Sequence, residues 1–249
     1  MELAEYDKQA ELEDRFWWFV GMRAIYQRIL SDVRTNSRSG GPTLDIGCGV
    51  GNVRRCLPET HRVIGVDYSP VALAYCRTRG YAGLVQADGE ALPFQDERFG
   101  LIIALNILEH IDDDVGFLSE LRRCCQPDGR IVLVTSACQA LWSEHDEAVH
   151  HKRRYSRSLL LSQLSRAGLR AVRVTHANTF LFPPALLIRQ CQRWRRRGGL
   201  DRSALTSDVR PLPPLLNSAL TGLLRIESGL LRWGNLPFGI SLVCVCERA

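Results

Sequence analysis

The chain has 249 residues, 45% of them hydrophobic and 24% charged, with a formal net charge of +5. That is long enough for one domain with a sizeable core, and the composition is that of a soluble globular protein. No apolar run approaches the ~20 residues of a membrane span, and the charge is too small to argue for a nucleic-acid partner by itself. The nine cysteines show no Cys-x-x-Cys spacing, and the acidic N-terminus carries no secretion-signal pattern. We therefore expect reduced thiols, no structural metal and a cytoplasmic location.

Residues 1–35 read as a leading helical region. Within it, Arg15-Phe16-Trp17-Trp18-Phe19 places four aromatics in succession, which cannot all face one side of a helix. Two are expected to anchor the helix on the core and the others to cap a pocket. Residues 36–41, Asn-Ser-Arg-Ser-Gly-Gly, read as a linker. Then comes Thr43-Leu-Asp-Ile-Gly-Cys-Gly-Val-Gly51, a short apolar strand carrying Asp45 and running into Gly47, Gly49 and Gly51. A strand feeding such a loop is the nucleotide-binding corner of a doubly wound sheet. A dinucleotide fingerprint would need a glycine at position 52, where Asn52 stands, and this disfavours a nicotinamide oxidoreductase.

The following segments fit the same corner. Val63-Ile-Gly-Val-Asp67 is an apolar strand ending in a carboxylate that can accept ribose hydroxyls. Ser69-Pro70 reads as an N-cap followed by proline at the first helical position. Leu84–Glu90 is a strand passing into Asp88-Gly89-Glu90, and Phe99–Asn106 is an apolar strand followed by Glu109-His110. Pro127-Asp128-Gly129 reads as a turn before a fifth strand at 130–134.

Taken together, residues 43–135 resemble class I S-adenosylmethionine-dependent methyltransferases. The resemblance implies a Rossmann-like α/β fold: a doubly wound sheet of seven strands in the order 3-2-1-4-5-7-6, with the seventh antiparallel. It implies S-adenosyl-L-methionine as cofactor. On that pattern Asp45, Gly47, Cys48 and Gly49 form the first motif, and Asp67, Tyr68 and Ser69 meet the ribose. Asp88 accepts from the adenine amino group, with Gly89 leaving room for the ring and Glu90 beside it, and the Asn106 main chain touches the methionine part.

Beyond the fifth strand, residues 136–155 form a polar loop holding Glu144, His145, Asp146, His150, His151, Arg153, Arg154 and Tyr155. A bacterial subgroup of the family is similar in its Trp-Trp-Phe segment and in an Asp followed by His-x-Arg-Arg-Tyr, matching Asp146, His151, Arg153, Arg154 and Tyr155. The same resemblance lets Arg23 reach the cofactor carboxylate. Candidate catalytic residues are His151, His145, His110 and Tyr155; for Asp146 and Tyr155 the plainer role is to hold the loop by hydrogen bonds. A zinc site at His145, Asp146, His150 and His151 lacks tetrahedral spacing.

Ser156 reads as the N-cap of a helix through Ala167 with Gly168 after it, and Leu169–Thr175 as a strand. Residues 178–235 form a helical insertion rich in Leu, Pro and Arg, in which Pro183-Pro184 interrupts the apolar run Phe180–Ile188 and arginines crowd residues 189–202. Phe238–Cys246 reads as the terminal strand. The expected organisation is a single domain over 1–249, with a cap and linker to 41, a cofactor core over 42–177, the insertion over 178–235 and a terminal strand over 236–249.

The expected activity is methyl transfer to a small-molecule acceptor, partly apolar and acidic, or lipid-linked with peripheral membrane contact through 178–202. The alternatives are a protein or RNA methyltransferase and a non-catalytic S-adenosylmethionine-binding partner. Nucleic acid is disfavoured because the arginines lack interleaved aromatics, and no feature of the sequence bears on oligomeric state.

Overall fold

The computed structural model describes residues 3–36, 40–197 and 212–249. Part of the expected linker (37–39) and Arg202 lie outside the described residues. Seven strands form one sheet: β1 (Thr43–Ile46), β2 (Val63–Asp67), β3 (Gly83–Gln86), β4 (Phe99–Leu105), β5 (Cys125–Ser136), β6 (Leu169–Ala177) and β7 (Ser241–Arg248). Their order is β3-β2-β1-β4-β5-β7-β6. All neighbours are parallel except β7, which runs antiparallel to both β5 and β6. This is the order and polarity that the sequence implied.

Eight helices accompany the sheet among the described residues: α1 (Leu3–Leu12), α2 (Trp17–Asn36), α3 (Pro70–Cys76), α4 (Asp114–Cys124), α5 (Glu144–Ala148), α6 (Arg157–Arg166), α7 (Phe182–Arg197) and α8 (Pro214–Leu230). Side chains alternate across a strand, so the central strands feed two cores. On one face Leu44, Ile46, Ile102 and Leu133 pack with Phe117 and Leu121 of α4 and Leu160 of α6. On the other, Ile103, Val132 and Val134 pack with Met22, Ile25 and Ile29 of α2 and Leu224 of α8. Burial on both faces is why these strands read as continuous apolar runs.

Three local expectations are corrected. Pro183 and Pro184 do not break the apolar run; they sit in the first turn of α7, where a missing N–H costs nothing. Pro127-Asp128-Gly129 lies within β5, where a register shift sets Phe99 opposite Cys125 and Leu101 opposite Arg130, so that the extra residues bulge out of the ladder. β7 begins at Ser241 rather than Phe238, because the 236–240 segment instead ties to β6 through hydrogen bonds from His176 N–H to Leu236 and from Thr179 Oγ1 to Phe238. The helix expected after Ser156 is present: Ser156 Oγ accepts from the Leu159 N–H and Gly168 follows with φ +69°.

The strand order reverses between β1 and β4, both of which run from there in parallel. Ligands of open α/β sheets lie in the crevice outside the carboxyl ends of the strands at such a reversal. No helix among the described residues is long and apolar enough to cross a membrane.

Candidate active site

The donor side of the crevice is built by the turn after β1. Gly47 and Gly49 have φ of +65° and +52°, a left-handed backbone that glycine adopts without strain. The Cys48 N–H donates to Val66 O at 3.0 Å and the Gly51 N–H to Cys48 O at 2.8 Å, which pins the loop against β2. Asp67, at the end of β2, accepts from Gly49 N–H through Oδ2 and from Ser69 N–H through Oδ1, both at 2.9 Å. Ser69 then caps α3 with Pro70 at its start. The Tyr68 ring points into solvent, 77% exposed.

Asp45 is buried within β1. Its Oδ2 accepts from the Tyr81 hydroxyl at 2.6 Å, whereas its buried Oδ1 has no partner. Burial pushes this carboxyl up to about 7, against the opposing hydrogen bond from Tyr81. Burial also raises Asp67, opposed by the backbone N–H groups that point at it.

Asp88 Oδ1 accepts from the Glu90 N–H at 3.0 Å, fixing the turn after β3. At Gly89 a Cβ would stand 3.1 Å from Phe117 Cε2 and 3.6 Å from Ile46 Cγ2, so the residue also sits close against the core. Asn106, at the tip of β4, has φ +54°; its N–H donates to Val134 O and its side-chain amide to the Tyr26 hydroxyl at 3.3 Å.

Arg23 is engaged elsewhere than expected. It holds the α1–α2 corner to the glycine loop, donating to Asp14 at 3.1 Å, to the Glu13 carbonyl at 2.8 Å and to Asn52 Oδ1 at 3.3 Å. Of the four aromatics, Trp17 and Trp18 pack on the core beneath α2. Phe16 is buried and lies with its ring centroid 5.9 Å from that of Phe19.

Across the crevice, three histidines that are distant in sequence come together. The His151 ring lies edge-on to His110 with centroids 4.7 Å apart, and to His145 at 6.2 Å. His151 Nδ1 is 2.8 Å from Asp146 Oδ1. Arg154, itself buried, grips the same carboxylate with two hydrogen bonds, at 2.8 and 3.0 Å. Burial works to raise the Asp146 carboxyl, but the hydrogen bonds from His151 and Arg154 outweigh it and hold it well below the usual carboxylate range. An ionised Asp146 only accepts, so His151 Nδ1 is the donor in this pair. Burial, followed by the neighbouring His151, lowers His110 to about 4.

Tyr155 belongs to a different place. Its ring is fully buried in the core and its hydroxyl donates to Asp114 at 2.9 Å; Arg153 donates to the same carboxylate. The structure thus removes it from the crevice and makes it a tie between the loop and α4. Sequence reasoning gave no role to Glu109, which is fully buried and accepts from Thr135 Oγ1 at 2.8 Å and from Ser136 N–H and Oγ. Its Oε1 lies 4.0 Å from His151 Nε2. A carboxylate directly before His110, in an otherwise apolar stretch, is the one sequence signal that pointed to it. Among the described residues no group of three or more His, Cys, Asp or Glu side chains is arranged to hold a metal.

Comparison with known proteins decides what this corner belongs to. Residues 44–133 match the model of a methyltransferase domain. This segment resembles that family. The chain is similar to malonyl-[acyl-carrier protein] O-methyltransferase of Enterobacter lignolyticus, 33% identical over 55% of this chain and 57% of that protein. It is likewise similar to tocopherol O-methyltransferase of Arabidopsis thaliana, 34% identical over 43% of this chain and 33% of that one. The chain spans about half or less of the first curated relatives it matches. A SAM-dependent methyltransferase of Thermotoga maritima shares the fold over 94% of this chain and 93% of its own, with a TM-score of 0.59 at 17% identity.

S-adenosyl-L-methionine is the cofactor that goes with this domain, and the corner suits it. The orphaned buried Asp45 oxygen calls for a donor or a cation. Asp67 receives the Gly49 N–H on one oxygen and the Ser69 N–H on the other, and a carboxylate has lone pairs enough to meet a pair of vicinal hydroxyls as well.

Proposed function

We propose that this chain is an S-adenosylmethionine-dependent methyltransferase acting on a small acceptor that is partly apolar and acidic, or lipid-linked, with His151 as general base. The bound cofactor supplies an activated methyl group on a sulfonium. Asp67 and Asp88 would hold the ribose and adenine, and Asp45 and the glycine loop the rest of the donor.

The observation that carries the assignment of the base is the Asp146–His151 pair, 2.8 Å apart beside the crevice. Asp146 fixes the ring so that Nε2 can take the proton that an acceptor hydroxyl or amine loses, the role an orienting carboxylate plays beside a histidine base. Orientation of the reactants supplies the larger share of such a rate, about 7–11 kcal/mol; a base adds roughly 10²–10⁴-fold.

Support for a small acceptor comes from relatives whose names specify tocopherol, ubiquinone and malonyl-[acyl-carrier protein] O-methylation. Support for an acidic, partly apolar one comes from α7, whose Arg193 reaches the Trp142 carbonyl at 3.1 Å, immediately before α5.

Titration calorimetry with S-adenosylmethionine tests the donor. Saturable binding, weakened at least tenfold by Asp67→Ala, is expected. No heat with S-adenosylmethionine but clear binding of NAD would overturn the reading.

A further inference from the structure

Ten of the twelve large hydrophobic side chains exposed among the described residues lie between 180 and 238. The arrangement on α8 is ordered. Leu215, Ile226 and Trp233 are 88%, 61% and 84% exposed. Together with Ala219, Gly222 and Leu230 they follow the three- and four-residue spacing of one helical stripe, continued by Trp233 in the turn after the helix. The opposite stripe, Leu224 and Leu231, is buried against α2. The helix is therefore apolar on two faces, and the protein itself covers only one.

The outer stripe is flanked by Arg225 and Arg232, the latter with its guanidinium 5.7 Å from the centroid of the Trp233 ring. The start of α7 is tied to the buried side of the same helix. Glu227 accepts the N–H groups of Asn178 and Thr179 at 2.5 and 2.9 Å. Phe182 packs on Phe238 with ring centroids 5.6 Å apart. This brings the exposed Phe180 and Phe238 to the same end of the molecule.

Charge selects the occupant. Residues 178–235 contain nine arginines against three acids, a net of +6 where the whole chain carries +5. One of the acids, Glu227, is buried and occupied internally. A second copy of this face would bring Arg225 and Arg232 against their own counterparts as the apolar stripes met. An anionic bilayer surface compensates the arginines and takes up Leu, Ile and Trp side chains at the headgroup boundary.

We propose that the outer face of α8, with the beginning of α7, docks this protein on the surface of an anionic lipid bilayer. Docking would place the acceptor side of the crevice, which α7 reaches through Arg193, next to an amphiphile lodged in the membrane. That consequence rests on the function proposed above; the docking does not.

Co-sedimentation of the full chain with vesicles tests it, comparing equal parts phosphatidylglycerol and phosphatidylcholine with phosphatidylcholine alone, at low and high salt. Binding to the anionic vesicles, weakened by salt and by at least roughly tenfold in I226E/W233E and in R225E/R232E, is expected. The exposed control V172E should bind as the unsubstituted chain does. Calorimetry with S-adenosylmethionine on the same variants reports whether they are folded. It separates the two readings, since loss of vesicle binding with intact donor binding leaves the enzyme assignment standing. Absence of binding to anionic vesicles would overturn the proposal. So would equal binding by both charge-reversed variants, or a dimer in sedimentation equilibrium that I226E/W233E dissociates while no vesicles are bound.

Discussion

Asp45 is held with one carboxyl oxygen bonded to Tyr81 and the other to nothing, and its pKa of about 7 in the folded chain exceeds the ordinary carboxyl value near 3.9. The folded state therefore binds the proton more tightly than the unfolded chain does. The resulting stability is complete below about pH 4 and is lost as pH rises through 7, a change on the order of 4 kcal/mol. Chemical denaturation of the donor-free protein at pH 5 and pH 8 is expected to show about 2–3 kcal/mol of this loss, and Asp45→Asn to remove it; an identical pH dependence in the variant would contradict the assignment. On the other side of the crevice, His151→Ala should lower single-turnover methyl transfer by roughly 10²–10⁴-fold with donor affinity unchanged, while His110→Ala and His145→Ala should cost much less. Equal rates in all three would remove the base. The glycine turn after β1 and the Ser69 cap of α3 were legible because both are set by backbone geometry within a few residues. Tyr155 was misplaced because Asp114, the partner that fixes it, lies 41 positions away. Glu109 was passed over because its partners, Thr135 and Ser136, come from the neighbouring strand.

At the level of elements, the helix pair α2–α8 depends on one small residue. A Cβ on Gly21 would stand 2.3 Å from Leu224 Cδ1 and 2.6 Å from its Cβ, closer than carbon atoms pack. Gly21→Ala must push α8 outward or force Leu224 off its rotamer, and is expected to cost about 1–3 kcal/mol in denaturant unfolding, although alanine is the better helix former. Asn217 reinforces the pair, accepting from the Trp17 N–H at 2.9 Å and donating to the Arg15 carbonyl at 2.8 Å. The aromatic run thus serves partly to seat an element some 200 residues further on, which no local pattern reveals. Glu227 does similar work between α8 and the residues before α7. Removing it by Glu227→Ala strands the buried N–H groups of Asn178 and Thr179, each worth about 1–3 kcal/mol when left unpaired. The periodicity of α6 and β6 was readable because caps and alternation are local. The start of β7 was not, because long-range hydrogen bonds to His176 and Thr179 determine where the chain may join the ladder.

Across the whole molecule, stability is unevenly spread, and the least secured part covers the donor corner. β1, β4 and β5 are buried on both faces and paired on both edges, so their amides should exchange only on global unfolding. α1 sits outside the two main cores: Tyr6 packs in a small cluster with Val50 of the glycine loop and Ala72 of α3, and Asp7 accepts a hydrogen bond from the Tyr75 hydroxyl. At its exit, the buried Glu13 pairs with Arg79 at 2.5 Å and Arg55 at 3.4 Å. Tyr6 also feels the Asp67 charge, which, after burial, raises its hydroxyl pKa. Tyr6 thus packs beside the glycine loop and the start of α3, which flank the carboxylate assigned to the ribose. We predict that α1 covers the bound donor and that its opening gates exchange rather than chemistry. Hydrogen exchange followed by mass spectrometry should show α1 exchanging far faster than β4 without donor, and slowing when S-adenosylmethionine is added. Tyr6→Ala should speed donor dissociation in stopped-flow displacement while leaving the fold and the rate of the bound complex intact. If α1 exchanged as slowly as β4, or if Tyr6→Ala left the dissociation rate unchanged, the helix would be a fixed wall of the crevice and not its cover.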